Sequence, residues 1–164
     1  NDGHVVYYKK VEKGVKRVST KYLYSEFISI PKNKLDREEN NFVLRFPLKI
    51  GASWSTNDQT SLMMKVGYDK VFQTFLPFEM KKKIVSVSDT IILEQKKIKN
   101  CIKIVGKGKT SYNPGPPLGN INIDVLSTSW YAPEYGLVKL VREEKADSET
   151  MGHIIYDKTL VLEN

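Results

Sequence analysis

A strict two-residue rhythm constrains this chain more than any other feature. Ile121, Ile123 and Val125 alternate with Asn122 and Asp124, and Ile102 and Ile104 alternate with Cys101 and Lys103. Successive side chains of a strand point to opposite faces, so this spacing describes strands with one dry and one wet face. Composition agrees. Val, Ile, Thr, Tyr, Phe and Trp total 54 of the 164 residues, and Ala occurs three times. The chain is rich in residues that suit pleated surfaces and short of the best helix former.

Strands are expected over 5–11 and 15–20, flanking a hairpin turn at Lys13-Gly14, and then over 21–30, 42–46, 62–68, 84–88, 90–95, 101–107 and 121–131. The last two, 137–143 and 153–162, are apolar on both faces and are expected at the centre of the sheet. Helix is scarce. Residues 32–41 allow a turn or two. Residues 69–78 carry Val71, Phe72, Phe75 and Phe78 at near-helical spacing and fit a short helix or a strand, with Pro77 ending any helix early. The stretch 106–120 holds Gly106, Gly108, Pro114, Gly115, Pro116, Pro117 and Gly119 and is expected to be one long loop. No composition break or internal repeat divides the chain, so 1–164 reads as a single domain. The fold expected is mainly β, a single curved antiparallel sheet or half-barrel of about 9–11 strands with little helix.

Charge and special residues exclude several functions. No apolar stretch approaches a membrane span. One cysteine, Cys101, permits no internal disulfide, and His4 and His153 are too few for a histidine metal cage. The net charge is +7, carried by 22 lysines and only four arginines. Base-edge readout and phosphate clamps favour arginine, and the lysines are scattered, with Lys81-Lys82-Lys83 the one run of three. A solvated surface is therefore expected, with no nucleic-acid partner. The chain opens Asn1-Asp2-Gly3-His4, without Met or an apolar leader, and reads as a trimmed chain or a processed mature protein, from which any signal segment has been removed. There is no Asn-x-Ser/Thr sequon.

Catalytic motifs fail on inspection. Gly106-Lys107-Gly108-Lys109-Thr110 ends like a phosphate loop, but Lys103 stands where the first glycine belongs and Pro114 blocks the helix that must follow. Gly51-Ala52-Ser53-Trp54-Ser55 lacks the second glycine of a nucleophile elbow. Cys101 is expected to be a core-filling thiol. The acids Asp36, Glu38 and Glu39, and the pair Glu143 and Glu144, are expected to be solvated, and Asp147, Glu149 and His153 to form a polar turn. No catalytic residue, metal or cofactor is expected. The aromatics Trp54, Trp130, Tyr131 and Tyr135 lie near turn signals and are the candidate ligand-binding residues, able to line a concave pocket for an apolar or ring-bearing molecule.

Three segments carry a family resemblance. They are Phe46-Pro47-Leu48-Lys49-Ile50-Gly51-Ala52-Ser53-Trp54, the stretch from Val85-Ser86-Val87 to Lys99-Asn100-Cys101-Ile102-Lys103-Ile104, and Trp130-Tyr131-Ala132-Pro133-Glu134-Tyr135-Gly136-Leu137-Val138-Lys139. Their order and spacing, over roughly residues 5–145, resemble the TapB family of bacterial envelope proteins and lipoproteins. The resemblance implies an extracytoplasmic β domain in the periplasm or on the outer membrane, with a half-barrel like that of lipoprotein carriers and no catalytic residues. Independently of the family, Pro133 pre-sets a turn and Gly136 can take the positive φ of a bulged hairpin. Two functions fit: a non-enzymatic envelope protein that binds an apolar small molecule or lipid or scaffolds an envelope partner, and an interaction module that uses a strand edge or the 106–120 loop.

Overall fold

The alternation in the sequence is realised as a ladder of antiparallel strands. The computed structural model describes residues 4–22, 41–66, 70–93, 96–116, 119–147 and 153–159. They form β1 (His4–Val11), β2 (Gly14–Tyr22), β3 (Phe42–Arg45), β4 (Ser53–Val66), β5 (Lys70–Leu93), β6 (Lys96–Tyr112), β7 (Ile121–Ala132), β8 (Gly136–Ala146) and β9 (His153–Thr159). There is no helix among the described residues. The protein is thus mainly β and antiparallel throughout, as expected. The strands divide into a small sheet, β1-β2-β3, and a large sheet in which β4 to β9 pair in sequence order.

Several boundaries differ from the expectation. Residues 69–78 are strand from Lys70 onward, and β5 continues unbroken to Leu93, joining the strand expected at 84–88 to the described part of that expected at 90–95. Its pairing with β6 shifts register three times between Ile84 and Ile91. Each bulge resets the alternation, so one long strand reads as separate pieces. The expected loop at 106–120 shrinks, because β6 runs to Tyr112. Strand β9 lies at the edge of the described sheet rather than at its centre, and its Ile155 is 59% exposed. Most of the strand expected at 21–30 and the turn at 32–41 lie outside the described residues. The hairpin at Pro133–Tyr135 is formed as anticipated, with Gly136 at φ 73° and a register shift between Trp130 and Tyr131.

The large sheet has one dry face. Trp54, Thr56, Asp58 and Thr60 of β4 stand beside Lys82, Met80, Phe78 and Leu76 of β5. The row continues through Gly106 and Gly108 of β6 to Ser127 and Val125 of β7, and on to Arg142 and Glu144 of β8. One cluster on this face is Leu76, Phe78, Met80, Ile121, Ile123 and Val125; another is Trp54, Ile84 and Ile104, capped by Phe42 and Leu44 of the small sheet. Each fully buried side chain of this size stabilises by about 1.5–3 kcal/mol.

Glycine permits this packing. A Cβ at Gly108 would stand 2.4 Å from the Phe78 ring, and one at Gly106 would stand 2.6 Å from Met80 Sδ. The β5 side chains therefore lie across β6 and reach β7. This is a close approach of side chain to backbone, the use of strand glycine that bends a sheet. The Gly-Lys-Gly stretch is strand, with no phosphate-loop geometry.

The dry face is concave. Arg142 of β8 donates from Nη1 to Asp58 Oδ2 of β4 at 3.0 Å and from Nη2 to the Gln59 carbonyl at 2.9 Å. Four ladders separate these strands, about 19 Å on a flat sheet. The two side chains can meet only because the sheet rolls. It is rolled but not closed, since β4 pairs with β5 alone in this sheet. The small sheet lies over the concave face at the Trp54–Ile84–Ile104 cluster.

Candidate ligand cavity

Between the two sheets lies a cavity of about 350 Å³. Tyr8 and Arg17 enter it from the small sheet, where they are cross-strand partners on β1 and β2. From the large sheet come Lys82 on β5, Ser127, Ser129 and Tyr131 at two-residue spacing on β7, and Arg142 on β8. Val6, Val43, Met80, Leu137 and Leu140 supply apolar wall. Polar and apolar surface share the lining about equally, so the cavity is more polar than the usual small-molecule site.

The charges are unbalanced. Arg17, Lys82 and Arg142 are cationic, and Asp58 is the one acid of the lining. Arg142 is held at all three of its nitrogens: besides Asp58 and Gln59 it donates from Nε to Glu144 Oε1 at 2.7 Å, and Thr60 Oγ1 donates to Glu144 Oε2. These side chains make a polar seam between β8 and β4. Burial pushes the Lys82 amine down to about 8; Asp58 opposes this, and the Arg17 and Arg142 charges add to it. Burial raises the Tyr131 phenol, and Tyr8 acts in the same direction, offset in part by Ser129 and Arg17. Burial likewise raises Tyr8, against the Arg17 charge. At neutral pH the two phenols are hydrogen-bond donors.

No known family, curated protein or solved structure matches the chain.

The four aromatics singled out in the sequence do not converge. Trp54 is 5% exposed in the core and donates from Nε1 to the Phe42 carbonyl at 3.0 Å. Tyr131 packs against its cluster and alone of the four lines the cavity. Trp130 belongs to the opposite face, donating to Asp89 at 2.9 Å with the Lys103 amine over its ring. Tyr135 sits in the β7–β8 turn, exposed, under the Lys96 amine.

Other residues also stand apart from expectation. Glu144 is not solvated: it is 6% exposed, because its alternation phase on β8 turns it into the concave face, whereas Glu143 faces outward. Asp147 accepts from the Asn122 backbone and side chain, and these bonds hold its carboxyl below the usual range; the rest of the turn expected toward His153 lies outside the described residues. Glu149, Asp36, Glu38 and Glu39 lie outside the described residues. Cys101 is fully buried, as expected, and burial raises its thiol. Lys99, two positions earlier, is exposed, and between them Asn100 takes a φ of 57° that breaks the alternation.

The sequence contained one unused pointer to the cavity. In a strand, three consecutive lysines cannot all face water. Lys81 and Lys83 are exposed, and Lys82 must therefore turn inward. Arg17, Ser127 and Ser129 carried no comparable signal. A wider groove of about 660 Å³ crosses the convex face, between Glu79, Lys81, Lys107, Lys109 and Glu143. Its lysines and acids alternate, and Lys109 pairs with Asp124 at 2.7 Å on open surface, so no charge converges there.

Proposed function

We propose that the protein is a non-enzymatic, ligand-binding β domain of the bacterial envelope. It holds an apolar small molecule or lipid chain between its two sheets, as a carrier or as a ligand-dependent scaffold. The observation that carries this reading is the cavity between the small sheet and the concave face. Tyr131, one of the four aromatics the sequence nominated, stands in its wall. The TapB-like segments support the envelope placement. No helix among the described residues is long and apolar enough to cross a membrane.

Native mass spectrometry of the protein purified from its host's envelope extract tests the proposal. A mass excess that disappears on gentle organic extraction is expected. A clean ligand-free mass counts against the carrier.

A second reading, a protein-interaction module, is favoured by β9. This strand has one ladder partner among the described residues and displays Ile155 on its outer side, a combination that invites strand addition. In that case partner binding is lost when Ile155 is replaced by Lys, and no ligand is found. The described part of the expected loop beyond β6, 113–116 and 119–120, is a second candidate for the same purpose.

A further inference from the structure

We propose that the cavity is specific for a short amphiphile with an oxyanion head, carboxylate or phosphate, clamped between Arg17 of the small sheet and Lys82 of the large one. The inference rests on the ligand-binding reading above and adds the chemical class of the ligand.

Three observations lead to it. First, the cavity gathers three cations around a single acid, and that acid is already taken. Asp58 is held by Arg142 at 3.0 Å, and Arg142 is further tied to Glu144 and the Gln59 carbonyl. Neither Arg17 nor Lys82 makes an ion pair among the described residues. Two like charges that face a shared, half-dry space, with only the Arg142-bound Asp58 to offset them, are costly to the fold. An oxyanion between them removes that cost.

Second, the neutral polar groups are donors of the right kind. The Tyr8 and Tyr131 phenols stay protonated, and the Ser127 and Ser129 hydroxyls line the same wall. Hydrogen bonds to an ionised acceptor are about twice as strong as neutral ones.

Third, part of the wall is apolar. Val6, Val43, Leu137 and Leu140 offer no partner to a free inorganic ion but fit a hydrocarbon body. About 350 Å³ lies at the small end of small-molecule sites, which selects a short chain over a two-chain lipid.

The test is calorimetric titration of the delipidated protein with three probes: decanoate, decanol and inorganic phosphate. Decanoate is expected to bind at least about tenfold more tightly than either of the others. Lys82→Met and Arg17→Met are each expected to weaken decanoate by about tenfold or more while leaving decanol unchanged. Lys82→Met is also expected to raise the melting temperature of the ligand-free protein, a readout independent of binding. Arg17→Met, on the other sheet, keeps the test decisive if one variant misfolds. Equal binding of decanol and decanoate overturns the anion clamp and leaves the apolar carrier standing. Phosphate binding as tightly as decanoate overturns the amphiphile in favour of a free oxyanion. Binding of none of the three overturns the inference together with the reading beneath it.

Discussion

Arg142 on β8 and Asp58 on β4 form an ion pair at 3.0 Å although four ladders of the same sheet lie between their strands. Their side chains are only 15% and 19% exposed, and Glu144, which shares the guanidinium, is 7% exposed. The rolled shape of the large sheet is thus fastened by side chains where a barrel would use a backbone ladder.

Removing the shared cation should cost more than removing the whole seam. Arg142→Met leaves Asp58 and Glu144 as uncompensated carboxylates, with an expected loss of about 3–5 kcal/mol. For a domain of this size that lowers the melting temperature by roughly 10 °C. Combining it with Asp58→Leu and Glu144→Leu should recover most of the loss. Thermal unfolding of the single and triple variants checks this, and a single variant that melts like the parent argues against the seam.

The two glycines of β6 should respond unequally to alanine. At Gly108 the added carbon meets the flat, buried Phe78 ring, and overpacking of about 1–3 kcal/mol is expected. At Gly106 it meets Met80, whose flexible thioether can yield, and the cost should be smaller. Phe78→Leu should partly rescue Gly108→Ala and leave Gly106→Ala unimproved. Denaturant titration of the three single and two double variants measures the coupling.

Stability should depend on Lys82 in alkaline solution. Its folded pKa of about 8 lies below the ordinary 10.5. Below pH 8 both states carry the proton, and the burial penalty is complete. Between about pH 8 and 10.5 the folded protein has released a proton that the unfolded chain keeps, so this group adds stability as pH rises. Asp58, Arg17, Arg142, Tyr8 and Tyr131 face it across the cavity. The raised phenols of Tyr8 and Tyr131 act oppositely above about pH 10, and the raised thiol of Cys101 does so above about 9. The difference between the parent and Lys82→Met isolates the lysine. The melting advantage of Lys82→Met should shrink from pH 8 to pH 10, and a constant gap refutes the assignment.

Cys101 should be silent toward a water-soluble disulfide reagent in the native protein. It has no exposure, burial raises its thiol, and it packs with Ile98, Leu93 and Val138. Labelling should proceed only at the rate of unfolding and become fast in denaturant. Rapid native labelling, followed by absorbance, contradicts the placement.

The sequence carried the class of the fold and most strands wherever alternation ran undisturbed, as at Ile121–Val125. It failed where the phase slips. The bulges between Ile84 and Ile91 hid the continuity of β5, and Asn100 hid the inward turn of Cys101. Gly106 and Gly108 looked like loop because glycine usually interrupts strands; their purpose depends on Phe78 and Met80, which only the pairing of β5 with β6 brings near. The cavity was less legible than the fold. Of its lining, Tyr131 was named, and Lys82 was left among the solvated lysines although the parity of the run turns it inward. Glu144 was misjudged because its partner Thr60 is 84 positions away in the chain.

The crossing of Phe78 over Gly108 also bears on how such a chain can diverge. A bare α-carbon and a bulky ring on adjacent strands are two halves of one volume. Mutations that fill the first half survive only in backgrounds that have already emptied the second. Among descendants of this sequence, positions 78 and 108 should therefore drift as a linked pair, with size lost at one and gained at the other.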